Sequence, residues 1–189
     1  MAVTDYLKTE KQKTFDRDFL KDAPFCETWD EVEMGKVYEG EREFEITLED
    51  IKAYNEAIED DNPLFNDEEY ARNAPYGNLI AHPLFCVPIA FWCIGKGPGS
   101  WIRSPGAVNP GQKIEFYEPF RPGEVISLKL ESCDRWIKRG RHYLTYKSSY
   151  YNQDGRLKAI WYCTLILPPT REELIKYAKS VELAKEGNK

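Results

Sequence analysis

Histidine is scarce in this chain, with two among 189 residues, and no pair of its five cysteines has C-x-x-C spacing. Both absences argue against a zinc site. Positive charge is not in excess either. The net charge is −6, so electrostatics offer no case for nucleic acid or an anionic membrane as partner. No apolar run approaches the ~18 residues of a membrane span. The opening stretch MAVTDYLKTEKQKTFDRDFLKD is polar and has no apolar signal-peptide core. Repeats and low-complexity segments are absent. These absences predict a reduced, cytoplasmic chain. Cys86 and Cys93 stand seven apart in an apolar stretch and read as small buried hydrophobes on one helix face.

The length fits one domain with extensions, large enough for a core without staples. Residues 1–34 read as an N-terminal extension wrapping the surface, 35–168 as the folded domain, and 169–189 as a C-terminal helix. Lys36–Ile46 alternates as a strand does. Thr47-Leu48-Glu49-Asp50 then opens a helix with a capping-box pattern. Ile51, Tyr54, Ala57 and Ile58 carry that helix to about Asp60, because Pro63 restricts Asn62 to extended geometry. Asn66 is the expected cap of a short helix over 67–73.

From Pro83 to Ile94 the sequence PLFCVPIAFWCI is apolar all round and predicts a buried helix. Pro83 suits a first helical position, while Pro88 predicts a kink or a late start. Four strands follow, at 113–117, 125–137, 141–152 and 157–167, joined by turn-forming sequences. Pro168-Pro169 ends the sheet, and Thr170 caps an amphipathic last helix. The class is α+β. A long antiparallel sheet must cover one face, and the only thoroughly apolar helix is the one at 83–94, so the sheet is expected to curl around it.

The segment Tyr54–Phe85, YNEAIEDDNPLFNDEEYARNAPYGNLIAHPLF, sets polar groups beside the start of that buried helix. Its D-D-N-P-L-F, D-E-E-Y-A and G-x-L-I-A-H-P pieces, followed by E-P-F-R-P-G-E at Glu118–Glu124 and N-Q-D-G at Asn152–Gly155, resemble the MaoC-like (R)-specific enoyl-CoA hydratases and dehydratases. The resemblance runs from about Gly35 to Leu167. It implies a hotdog fold, with an antiparallel sheet wrapped around a central apolar helix. It also implies a hydro-lyase that adds water across a 2-enoyl thioester or removes it from a 3-hydroxyacyl thioester. Coenzyme A then arrives as part of the substrate, with no other cofactor and no metal.

The resemblance also implies which residues act, and this chain departs from the pattern at two of them. Catalytic members carry D-x-N-P-x-H, whose Asp and His hold the water. Asp60, Asn62 and Pro63 match, but the His position is Phe65. Catalytic members also carry His-Gly at the helix start, where the Gly amide donates to the thioester carbonyl. Here the pair is His82-Pro83, and proline has no N–H; the Leu84 amide is the nearest substitute. Both departures resemble the non-catalytic N-terminal hotdog of heteromeric or double-hotdog dehydratases. The resemblance thus implies a hotdog partner, as a homodimer or as a heteromer with a catalytic MaoC-like chain.

Each candidate carries two readings. Asp60 is a general base or a turn-holding carboxylate. His82 replaces the missing motif histidine or is structural. Asn62, Phe65, Leu84 and Phe85 are substrate-wall candidates, with Asn62 alternatively fixing the turn. Lys138, Arg139 and Arg141 grip coenzyme A phosphates or form a solvated hairpin tip. Phe85, Phe91, Trp92, Trp101 and Phe116 line an acyl pocket or pack the core. His142 is expected to be exposed. Four functions compete: a supporting hydro-lyase subunit, a stand-alone hydratase using Asp60 with His82 or water, a non-enzymatic acyl-CoA binder, and a thioesterase.

Overall fold

The computed structural model describes residues 7–16, 18–96 and 99–186. Its main element is an antiparallel sheet in the order β1-β4-β5-β6-β3, with β2 also pairing β4. The long strands are β3 (Val108–Phe116), β4 (Val125–Lys138), β5 (Arg141–Tyr151) and β6 (Leu157–Ile166). Two short strands, β1 (Val37–Glu39) and β2 (Phe44–Glu45), lie along β4. The described residues also hold six α-helices, α1 (Glu10–Thr14), α2 (Leu48–Ile58), α3 (Pro63–Asn66), α4 (Glu68–Asn73), α5 (Cys86–Cys93) and α6 (Arg171–Glu186), and three short 3₁₀ helices at Leu20–Phe25, Pro83–Phe85 and Trp101–Arg103. None is long and apolar enough to cross a membrane.

Helix α5 is the axis of the core. Cys86, Ile89, Ala90 and Cys93 are buried on it, and Leu128, Leu130, Leu144, Tyr146, Tyr150, Trp161 and Cys163 from the sheet surround them. This is the hotdog architecture expected from the sequence. Burial pushes the thiols of Cys86, Cys93 and Cys163 up to about 12, so they behave as hydrophobes. The first turn, Pro83–Phe85, is 3₁₀, and the α-helix begins at Cys86. Pro88 thereby falls in the first α-turn, where an N–H has no intrahelical acceptor to lose.

Three boundaries differ from the sequence-based expectation. The strand expected over 36–46 is split at Gly40–Glu43. There the chain serves the end of α5 instead: the Glu41 N–H donates to the Cys93 carbonyl (2.9 Å) and Arg42 Nε to the Trp92 carbonyl (2.7 Å). A cation at a helix C-terminus is favourable. Gly40 allows this approach, since a Cβ there would sit 3.3 Å from the Cys93 oxygen. Second, β3 starts at Val108, with a register shift between Val108 and Gly111. Third, Asp67 rather than Asn66 caps α4, accepting from the Tyr70 N–H at 2.9 Å.

Residues 18–32 are anchored by buried polar groups. Lys96 Nζ lies 2.9 Å and Arg103 Nε 3.5 Å from the Asp22 carboxylate. Glu27 Oε2 accepts from the Gly99 N–H and the Tyr146 hydroxyl, both at 2.8 Å. Burial raises the Glu27 carboxyl above its ordinary range. A raised carboxyl holds its proton more tightly when folded. Its stabilising contribution is therefore complete below the unfolded value and is lost as pH rises through the folded one. Glu27→Gln keeps an acceptor for both donors and removes the charge. The expected result in calorimetry is a thermal midpoint near the parent's below about pH 4.5 and above it at neutral pH. Equal midpoints at both ends would show that no charge penalty sits at Glu27.

Candidate active site

Helix α2 begins with the expected capping box: the Asp50 N–H donates to Thr47 Oγ1 (3.1 Å), and the Thr47 N–H donates back to Asp50 Oδ2 (3.1 Å). It ends where Glu59 takes a left-handed conformation, φ 56°. That turn brings Asp60 out of the helix. Asp60 Oδ1 accepts from the Asn62 N–H (2.9 Å), and Asn66 Nδ2 donates to the Asp60 carbonyl (2.7 Å). Asn62 in turn caps α3 by accepting from the Leu64 N–H (3.1 Å). From below, Asn55 Nδ2 donates to the Phe65 carbonyl (2.9 Å). One Asp60 oxygen thus secures the turn, and the other, Oδ2, takes no part in it.

His82 reaches that second oxygen. The Ala81 N–H is bonded to the Phe120 carbonyl (2.9 Å), which fixes the segment leading into the 3₁₀ turn. His82 Nε2 then lies 3.5 Å from Asp60 Oδ2. The two side chains are 21% and 25% exposed, so both are within reach of solvent and ligand. The Leu84 N–H donates to His82 Nδ1 at 3.1 Å. A neutral imidazole whose Nδ1 accepts must carry its proton on Nε2, so that proton points to Asp60. The separation exceeds that of a closed hydrogen bond; unliganded sites often show such long contacts.

The same contact removes the expected substitute for the missing amide. Pro83 has no N–H, the Leu84 N–H is taken by His82, and the Phe85 N–H donates to the His82 carbonyl (2.9 Å). No amide of this turn is free to meet a thioester oxygen. Phe65 fills the motif-histidine position as a buried ring, edge-on to His82 with centroids 5.4 Å apart.

Beside the pair lies an apolar chamber of about 230 Å³. Tyr54 and Phe85 link the two: the Tyr54 ring is 6.0 Å from His82 and 5.3 Å from Phe85, and both line the chamber with Phe44, Pro88, Phe91 and Trp92. Burial raises the Tyr54 phenol, which stays protonated at neutral pH. Of the expected pocket aromatics, Phe85, Phe91 and Trp92 are here. Phe116 lies instead in a groove with Tyr76 and Pro83, and the side chain of Trp101 lies outside the described residues. Leu84 is exposed and Phe65 buried, and neither lines the chamber.

The structure does not bring Lys138, Arg139 and Arg141 to Asp60 and His82. They form the β4–β5 hairpin tip, with positive φ at Arg139 and Gly140. The site adjoins the other end of β4, roughly 40 Å away along a strand rising ~3.3 Å per residue. His142 is half-buried rather than exposed, because it packs on Trp29 with centroids 4.9 Å apart. The sequence reading passed over Phe44 and Tyr54 as chamber walls. It also missed Leu7, Lys11 and Phe15, which reach the chamber from the N-terminal segment. Phe15 and Phe19, aromatic residues in an otherwise polar stretch, were the available signal.

Residues 33–160 match the family model for the FAS1-like dehydratase domain region. A UPF0336 protein of Thermobifida fusca is 28% identical over 129 residues, covering 65% of this chain and 82% of that protein. A 3-hydroxybutyryl-CoA dehydratase of Methylorubrum extorquens is 31% identical over 97 residues, 51% of this chain and 59% of that one. Among solved structures, the MaoC-like dehydratase of Rhodospirillum rubrum superposes with a TM-score of 0.65 at 18% identity, over 76% of this chain and 98% of the other. The HadBC (3R-hydroxyacyl-ACP dehydratase) complex of Mycobacterium tuberculosis does so at 0.62 and 22%, over 70% and 96%.

Proposed function

Since this chain belongs to the FAS1-like dehydratase family of MaoC-like hotdogs, we propose that it is a supporting, substrate-binding subunit of a hydro-lyase acting on 2-enoyl or 3-hydroxyacyl thioesters. The observation that carries this reading is the helix start. Water addition builds negative charge on the thioester oxygen, and a preorganised donor there is worth on the order of 10²–10³ in rate. Pro83 has no donor, and the two following amides are both bonded to His82. The motif histidine is Phe65 as well. A chain that has lost both groups retains what binding requires: the apolar chamber and the polar rim next to it.

The catalytic groups then come from a partner hotdog. HadBC is a complex, which supports an assembly of this kind, as a dimer or larger. The relative named 3-hydroxybutyryl-CoA dehydratase supports an acyl-CoA substrate. Coenzyme A enters as part of that substrate, and no metal or redox cofactor is required.

A second reading rests on the Asp60–His82 pair. Asp60 would take a proton from the adding water as its oxygen bonds to C3 and pass that proton on to C2, ending as the carboxylate it began as, while the Nε2–H of His82 steadies the carboxylate. The two readings separate in one experiment, hydration of crotonyl-CoA and of longer and aromatic enoyl-CoAs by the purified chain beside Asp60→Asn. The expected result is saturable acyl-CoA binding without turnover. Turnover that vanishes in Asp60→Asn would overturn the supporting role in favour of a stand-alone hydratase.

A further inference from the structure

The chamber is closed on one side by residues that lie before the family-matched region. Leu7, Thr9, Lys11, Gln12 and Phe15 form that wall. Residues 7–16, with Asp18 and Phe19, act as a strap across the outer face of α5, and several bonds hold it in place. Thr9 and Gln12 close a capping box on α1. Lys11 Nζ lies 2.7 Å from Asp50 Oδ2, a carboxylate only 5% exposed. Phe15 packs on Trp92 (6.5 Å between centroids), and Phe19 stacks on Phe91 (6.4 Å, 17°). Arg103, itself buried, lies against both strap rings, 5.4 Å from Phe15 and 4.8 Å from Phe19.

Behind this aromatic layer is a second cavity, lined in part by Phe19, Ser104, Gln112 and Trp161. Phe91 lines both spaces. The strap rings and Phe91 together are therefore the partition between the chamber beside His82 and a space beyond it. An apolar chamber of about 230 Å³ is below the ~300–1,000 Å³ of sites for drug-sized ligands. It suits a short chain or a single ring.

We infer that the N-terminal strap determines specificity: Phe15 closes the chamber around a compact apolar acyl group, a short chain or one aromatic ring, and Phe19, stacked on Phe91, bars longer chains from the second cavity. The inference rests on the acyl-thioester reading of the site, and it is tested without turnover.

The probes are saturated N-acetylcysteamine thioesters from butanoyl to dodecanoyl, which cannot be hydrated. They are titrated calorimetrically into the full chain and into Phe15→Ala/Phe19→Ala. Each methylene buried should tighten binding about four-fold. In the parent chain the gain should stop at about hexanoyl to octanoyl. In the double variant it should continue to decanoyl or beyond. Lys11→Met, which releases the strap from Asp50 and leaves the rings intact, is the second variant should the first not fold. It should shift the cut-off in the same direction. Identical chain-length profiles in parent and variants, or no saturable binding by the parent, would overturn the inference. Failure of the hydro-lyase reading would appear separately, as acyl thioesters that bind but are never turned over with any hotdog partner.

Discussion

The isolated chain carrying Phe65→His and Pro83→Gly together should hydrate crotonyl-CoA, where the parent chain is expected not to. The geometry gives each change a specific effect. Residue 83 is the first position of the 3₁₀ turn, and a first-position N–H has no intrahelical acceptor. The Leu84 amide already satisfies His82 Nδ1, so a glycine N–H at 83 is free to meet the thioester oxygen. Restoring one such donor is worth on the order of 10²–10³. An imidazole at 65 stands over His82, whose Nε2 faces Asp60. It returns a second proton-transfer group, worth roughly 10²–10⁴. Groups acting as a unit are not additive, so each single change should stay near the baseline. Asp60→Asn in the double background should return it there. Burying a histidine where Phe65 sits costs about 1–3 kcal/mol, so the fold is checked by circular dichroism. A folded double variant that binds acyl-CoA and remains inert would show that the site is not a catalytic hotdog site lacking two groups.

The hotdog was legible because its demands are local and redundant. One helix apolar on every side must be enclosed, and four consecutive strands with turn sequences between them can enclose it. The Asp60 turn was legible for a similar reason, since Asp-Asn-Pro leaves the backbone few choices. Features set by distant partners were not. Glu41 and Arg42 read as strand residues, yet their bonds go to Cys93 and Trp92 about fifty positions on. Asn66 is a good helix cap by type, but Asp60 and Asn62 draw its carboxamide away, leaving the cap to Asp67. β3 begins five residues before the expected strand, because at the sheet edge Pro110 and a bulge between Val108 and Gly111 are tolerated within it. The polar composition of the first residues concealed Phe15, which lines the chamber, and Phe19, which stacks on Phe91 beside it. The exclusion of Leu84 as a donor needed coordinates, because nothing in its sequence position reveals where the His82 ring turns.

Lys158→Met should unfold this protein more readily than any of the other single substitutions considered above, by about 3–5 kcal/mol. Lys158 is 1% exposed, an unusual place for an ammonium. Its Nζ lies 2.6 Å from Glu124 Oε1 and 3.4 Å from Glu118 Oε2. The Glu124 carboxylate also accepts from Asn152 Nδ2 (3.3 Å) and the Arg121 N–H (2.8 Å). Removing the cation leaves a buried carboxylate without its counter-charge, and that residual charge is the source of the large cost. For a domain of this size, ~2–4 °C of thermal midpoint accompanies each kcal/mol, so the loss should be roughly 6–20 °C. Lys158→Met with Glu124→Gln removes both charges, and it should recover much of the difference. A single variant within about 0.5 kcal/mol of the parent would show that the pair contributes nothing. The consequence reaches the site through one connection. Lys158 holds the 118–124 turn, the Phe120 carbonyl in that turn accepts from Ala81, and Ala81 precedes His82. A variant that stays folded at low temperature should therefore also bind acyl thioesters more weakly, since the imidazole loses the backbone that aims it at Asp60.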